Sequence, residues 1–267
     1  MEFLDTLTTR RSIRAFQPRA VAPELVEQVI ADATHAPSWG NTQPYMVAIA
    51  TGPVLKDIGD ELSRRFMKVR KIQSLPKALQ ALAALAGGVR PDGDYNTLIK
   101  YPPDLKARYR KTGFGLYAAL GIGREDRARR SEQMALNFQG FGAPVVLFVF
   151  AHGALGAYGV ADTGAFLQSL ALSAHDRGLG TCIQGALATW AGPVRKHFVV
   201  PRPYRLLCGV ALGYPADDPV NRYRPERLPV SELLIKPRGP GAPNLPTYGG
   251  SPANPEPHAD GAATDIR

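Results

Sequence analysis

Pro144-Val145-Val146-Leu147-Phe148-Val149-Phe150-Ala151 is an unbroken run of apolar, β-branched and aromatic side chains. A strand with one solvated face alternates apolar and polar residues, whereas a strand covered on both faces reads as a continuous run. The segment is therefore expected to be the central strand. Residues 158–177 follow it, with Phe166, Leu167, Leu170, Ala171 and Leu172 spread over most sides of a helix that stops at Gly178. A helix apolar all round must be buried, against the body of the protein or a second subunit. Residues 206–212 form another apolar strand, ending at Gly213-Tyr214-Pro215. Upstream, residues 46–51 fit a short buried strand. Residues 23–35 fit an amphipathic helix with Pro23 in its first turn and Leu25, Val26, Val29, Ile30 and Ala33 at helical spacing. Residues 54–139 read mainly as helices broken by Gly87-Gly88, Pro91-Asp92-Gly93 and Pro102-Pro103. Strands interspersed with helices indicate a mixed α/β chain.

The chain of 267 residues is long enough for one large domain with a sizeable core. That domain is expected over residues 1–235. Residues 236–267, dense in Pro and Gly and poor in aliphatic side chains, are expected to form a tail or an arm across a partner. No run of 18 apolar residues and no basic leader followed by an apolar stretch is present, which points to the cytoplasm and away from a membrane. Cys182 and Cys208 lie among small and apolar neighbours and are expected as buried free thiols. The five histidines are scattered without metal-type spacing, so no metal is expected.

The formal net charge of +9 raises the question of nucleic acid. Nine Lys or Arg fall within residues 100–130 against Asp104, Glu125 and Asp126, interleaved with Tyr101, Tyr109, Phe114 and Tyr117. Some single-strand binders interleave charge and aromatics in this way. No recognised nucleic-acid module surrounds the stretch, however, and a lid that attracts anionic cofactors or aromatic acids accounts for the same pattern. Within it Tyr101, Tyr109 and Arg108 are candidates for steering an aromatic carboxylate. No Gly-x-Gly-x-x-Gly follows a strand, and no Walker loop is present.

Two short polar runs carry chemistry. In Arg10-Arg11-Ser12-Ile13-Arg14-Ala15-Phe16, an extended backbone puts Arg10, Ser12 and Arg14 on one face, where two guanidiniums and a hydroxyl suit a bound phosphate. A solvated basic turn is the alternative. Pro37-Ser38-Trp39-Gly40-Asn41-Thr42-Gln43-Pro44-Tyr45 joins the first amphipathic helix to a strand, a common place for binding groups. Two further segments are Gly178-Leu179-Gly180-Thr181-Cys182-Ile183-Gln184-Gly185, after the buried helix, and Leu212-Gly213-Tyr214-Pro215 continued by Asn221-Arg222-Tyr223-Arg224-Pro225-Glu226-Arg227-Leu228-Pro229.

In this order, the four segments resemble the signature of the FMN-dependent nitroreductase family, from about Phe3 to Leu234. The stretch from Arg110 to Asp126 further resembles the nitrobenzoate-reductase branch. The resemblance implies an α+β fold, a mainly antiparallel sheet surrounded by helices, in an intertwined homodimer with FMN at the interface. It implies that Arg10 and Arg227 grip the FMN phosphate, with Arg11 and Ser12 near the phosphate and ribityl chain and Arg14 near the pyrimidine end. Pro37, Ser38, Trp39 and Asn41 would approach from the other subunit. Gln184 and Gly185 would face the N5 edge, and Asn137 would hydrogen-bond the ring. The implied activity is ping-pong: NADH or NADPH reduces FMN, leaves, and a nitroaromatic acceptor is reduced through nitroso to hydroxylamine. The flavin carries the chemistry, so no protein residue is assigned as catalytic. Quinones, enones or halogenated phenols are alternative acceptors, and a flavin-binding protein without turnover is a further alternative. Trp39 departs from the family, which usually has a small residue there, and Tyr45 stands where relatives often carry Trp. Arg224 and Arg227 would also serve as ordinary surface charges, Asn137 as an exposed helix polar residue, and Gln43 as a stabiliser of its own loop.

Overall fold

The computed structural model describes residues 2–235 and 237. The expected tail, Pro237 apart, lies outside the described residues. By internal contacts the chain divides into Met1–Pro225 and Glu226–Arg267. Within the second unit a short helix covers Val230–Leu233.

Four strands, β1 (Tyr45–Thr51), β2 (Val145–His152), β3 (Gly180–Gln184) and β4 (Tyr204–Gly213), form one sheet in the order β1-β2-β4-β3, every neighbouring pair antiparallel. The continuous apolar run becomes β2, paired on both sides: Tyr45 faces Ala151 on one flank and Leu147 faces Val210 on the other. Successive side chains of β2 enter different cores. Val145, Leu147 and Val149 meet Val26 and Val29 of α2 (Pro23–Ala33) and Phe166 and Leu170 of α7 (Gly156–Asp176). Val146, Phe148 and Phe150 meet Ile58, Leu62 and Phe66 of α3 (Gly52–Gln73), together with Phe138, Leu187 and Trp190. Helices thus cover both faces of the sheet, the arrangement that the unbroken apolar run required. The expected α+β class is observed.

Strand β3 was not evident from the sequence. Its five residues, Gly-Thr-Cys-Ile-Gln, are few, mixed in polarity and introduced by glycine, and it lies at the sheet edge. Its outer side is extended by residues 12–16: Ser12 bridges Thr181 in parallel, the Ile13 amide donates to Thr181 O at 2.9 Å, and Phe16 bridges Pro215. Gly180 makes this approach possible, since a Cβ there would stand 2.5 Å from Ile13 Cγ1. The expected middle helices are α3, α4 (Lys77–Gly87), α5 (Pro103–Ala119) and α6 (Arg127–Ala135). A short α1 (Phe3–Thr9) precedes the first arginines, and α8 (Gly192–His197) and α9 (Pro219–Arg222) flank β4. Both cysteines are buried and free, as expected. Burial pushes the Cys208 thiol up to about 12. No helix among the described residues is long and apolar enough to cross a membrane.

Candidate functional site

Helix α1 ends at Thr9, and the extended chain that follows from Arg10 runs along β3, so Arg10, Arg11, Ser12 and Arg14 are brought beside the sheet edge. What holds this segment is Asn221, a residue to which sequence reasoning gave no role. It is only 3% exposed. Its Oδ1 accepts from the Arg14 amide at 2.7 Å, its Nδ2 donates to Ala15 O at 2.8 Å and Ala216 O at 2.9 Å, and its carbonyl accepts from Arg11 Nε at 2.5 Å. An asparagine inside a charged stretch of sequence carries no mark that separates such a clamp from an ordinary turn residue.

The segment lies in a cationic cluster. Arg11 Nη1 donates to Thr9 O at 3.4 Å, and Arg224 Nη1 donates to the same carbonyl at 3.3 Å. Among the described residues Arg11 and Arg224 contact no carboxylate. His175, near the end of α7, joins the cluster through a 2.8 Å contact between Nε2 and Thr9 Oγ1. Burial lowers its pKa first, then the charges of Arg11, Arg10 and Arg224, against the opposing pull of Asp176. Burial, followed by Arg224, likewise lowers Arg11. Like charges gathered on polar backbone with their solvation reduced form a cradle for an anion. Ser12 hydrogen-bonds Cys182 of β3; burial raises that thiol, while nearby Arg14 and Ser12 oppose the rise. Arg224, weighed above as a surface charge, stands inside the cluster, and His175 is a member that its scattered position in the sequence did not reveal. Arg227 lies in the second unit, where its Nη1 reaches Glu226 O at 3.5 Å.

Three residues beyond Thr181, a distance of about 10 Å along a strand, β3 ends in a second polar group. Gln184 is buried, and its Nε2 donates to Asn137 O at 2.9 Å and contacts Asn137 Oδ1 at 3.4 Å. Gln184 Oε1 is buried with no hydrogen-bond partner among the described residues. Asn137 sits in a 3-10 turn, Leu136–Gly142, that reverses through left-handed Gly140 and Phe141. The exposed Gly185 begins the turn Gly185–Ala188. Asn137 and Ala186 also line a cavity of about 1000 Å³, walled by Phe138, Trp190 and the stacked pair Tyr101 and Tyr109. Arg108 is not among its lining residues.

Residues 37–45 form a third group. Gly40, Asn41 and Gln43 all have positive φ, at 59°, 55° and 46°. Asn tolerates that region, whereas Gln seldom adopts it. Gln43 is held there from inside the loop: its amide donates to Ser38 Oγ at 3.0 Å and its Nε2 to Asn41 Oδ1 at 3.3 Å. The loop-stabilising role of Gln43 is therefore observed. The Trp39 amide donates to Asp162 Oδ2 at 3.1 Å, and its ring meets Tyr158 edge-on at 4.4 Å yet remains 63% exposed. Pro37 is exposed beside it. The loop feeds β1, and β1 and β3 are the opposite edges of the sheet, so Pro37, Ser38, Trp39 and Asn41 stand about 14 Å or more across the sheet from β3. One chain does not bring the two groups together.

Comparison with known proteins adds to this geometry. Residues 7–214 match the profile of the Nitroreductase family. The chain is 34% identical over 221 residues to a 4-nitrobenzoate reductase of Pseudomonas putida, an overlap covering 81% of this chain and 86% of the relative. It is 32% identical over 225 residues to the nitroreductase NfnB of Mycolicibacterium smegmatis, covering 84% and 87%. Among solved structures, the FMN and NADPH-dependent nitroreductase NfnB of a Sphigopyxis species superposes with a TM-score of 0.77 at 29% identity, over 90% of this chain and 100% of the other. The FMN-dependent NfnB of Mycobacterium smegmatis in complex with NADPH superposes with a TM-score of 0.70 at 30% identity, over 88% and 97%. With its antiparallel sheet, its cationic edge and a profile match over most of its length, this chain belongs to the nitroreductase family.

Proposed function

We propose that the protein is an FMN-dependent oxidoreductase that uses NADPH or NADH to reduce nitroaromatic acceptors. The observation that carries the reading is the pairing, along one strand, of a cationic cluster with an amide whose buried acceptor lacks a partner. Arg10, Arg11, Ser12 and Arg224 suit a phosphate monoester, and the Gln184 Oε1 acceptor suits a ring N–H, so the residues fit FMN. When bound, FMN supplies hydride acceptance from the nicotinamide and hydride delivery to the acceptor in separate half-reactions.

The chain's own part is binding, orientation and charge. Arg11, Ser12 and Arg224 hold the phosphate, with Arg10 beside them. Arg14 places a fixed cation where reduction adds negative charge to the ring, which favours the reduced state. Gln184, Gly185 and Asn137 orient the ring against the cavity, whose walls are largely aromatic and apolar. A second copy of the chain, in a homodimer, supplies Pro37, Ser38, Trp39 and Asn41, consistent with their place at the far sheet edge. Two unpaired buried thiols accord with a reducing, cytoplasmic setting. Residues 1–235 carry this function.

The test is spectroscopic. Protein saturated with FMN and desalted is mixed anaerobically with NADPH, then with a nitroarene. Flavin absorbance that remains with the protein, bleaches with NADPH and returns with the nitroarene is the expected result. Flavin that washes away at every concentration refutes the reading.

A further inference from the structure

The loop between α4 and α5 carries three charges in close succession, Arg90, Asp92 and Asp94, and the structure engages only the acids. Asp92 lies 3.5 Å from Arg65 Nη1. Asp94 Oδ2 accepts from Arg195 Nη2 at 2.7 Å and from the Leu206 amide at 2.6 Å. Val89 O accepts from Trp190 Nε1 at 3.1 Å. Gly93 packs on the Ala188 and Thr189 carbonyls so closely that no Cβ would fit. Four anchors therefore fix the backbone on either side of Arg90 to the body of the protein. Arg90 itself makes no hydrogen bond or ion pair among the described residues, and it lines the cavity that also borders Asn137 and Ala186.

The charge balance of that cavity is one-sided. Among the described residues Arg70 and Arg90 line it and no Asp or Glu does. Arg70 is already engaged, through Nε to Ser131 Oγ at 3.2 Å and Nη1 to Gln73 Oε1 at 3.2 Å. The remaining walls are aliphatic, aromatic or neutral amide and hydroxyl groups. A ligand that satisfies the cavity is thus flat and apolar at one end and anionic at the other. A planar guanidinium with a full set of unused donors matches a carboxylate through two parallel hydrogen bonds.

We infer that Arg90 is the specificity-determining residue of the acceptor cavity: it docks the carboxylate of a carboxylated nitroarene and so turns the nitro group toward Gln184 and Asn137. The inference rests on the proposed flavin reaction and adds to it the acceptor's second anchor. It also moves the anion-steering role from Arg108 on α5, outside the cavity wall, to the anchored loop.

The test compares 4-nitrobenzoate with its uncharged methyl ester in wild type, Arg90→Ala, Arg90→Lys and Arg108→Ala. The ratio of kcat/KM for acid over ester is expected to fall roughly 10- to 100-fold in Arg90→Ala, the range for one charge-assisted hydrogen-bonded contact, and to recover partly in Arg90→Lys. Arg108→Ala is expected to leave the ratio within about 2-fold. Binding is read independently of turnover by quenching of tryptophan fluorescence with 4-nitrobenzoate, since Trp190 lines the cavity; Arg90→Ala is expected to weaken it by a similar factor. If NADPH bleaches the flavin and nitroarenes are turned over but the ratio and the quenching constant are unchanged in Arg90→Ala, the inference is overturned while the flavin reading stands. If the flavin is not retained or not reduced, the flavin reading fails, and the quenching constant alone still decides whether Arg90 binds the carboxylate.

Discussion

Replacing Asn221 by Ala should uncouple the two chain segments that meet at β3. The side chain makes three hydrogen bonds, to the Arg14 amide and to the Ala15 and Ala216 carbonyls, and is almost completely buried. A typical hydrogen bond has a net worth of about 1 kcal/mol, so losing all three costs about 3 kcal/mol, and more where water cannot reach the stranded groups. Domains of ordinary stability have about 5–15 kcal/mol in reserve, so the variant should fold. The assay is urea denaturation of the flavin-free protein at fixed protein concentration, followed by circular dichroism, with FMN affinity measured separately. The midpoint should drop at an unchanged denaturant slope, and FMN affinity should fall because the backbone at Arg14 and Ala15 loses its fixed placement. A loss below about 1 kcal/mol would sink the reasoning, since it would mean that the buried amide contributes less than one ordinary bond.

Gly209→Ala should destabilise by about 1–3 kcal/mol through overpacking, seen as a lower melting temperature, because the added Cβ would stand 2.8 Å from Leu187 Cβ in the core; an unchanged melting temperature would show that Leu187 moves aside freely. His175 has a folded pKa below its unfolded value of 6.5, so between the two the unfolded chain binds the proton more readily, and the residue's contribution to stability is present above 6.5 and lost as pH falls toward the folded value. The urea midpoint of the wild type should therefore fall more steeply below pH 6.5 than that of His175→Gln, and parallel curves would remove His175 from the electrostatic cluster.

The elements that were legible in the sequence are those whose burial leaves a one-dimensional trace. The β2 run is apolar without interruption because both its faces are covered, and α2 shows helical spacing because one side packs on Val145, Leu147 and Val149. Strand β3 left no such trace: it is held by pairing with β4 on one side and with residues 12–16 on the other, and backbone pairing does not depend on side-chain type. The same division runs through the candidate site. The arginine run and the Gln184-Gly185 pair could be picked out through family resemblance, and the structure sets Ser12 beside the strand that ends at Gln184. Asn221, His175 and Arg90 could not be picked out. Their significance comes from what surrounds them in space: carbonyls from two distant segments, three guanidiniums, and a cavity that no acid lines among the described residues.

The clamp at Asn221 also governs when the cationic cluster can exist. Its contacts with Arg14, Ala15 and Arg11 span 207, 206 and 210 residues of chain. A ribosome adding about 5–20 residues per second needs on the order of ten seconds or longer to cover that distance. Throughout that interval the arginine segment has been synthesised and its anchor has not. Every truncation that removes residue 221 leaves those arginines unclamped, so the cluster is assembled only once residue 221 has been made, long after its first members.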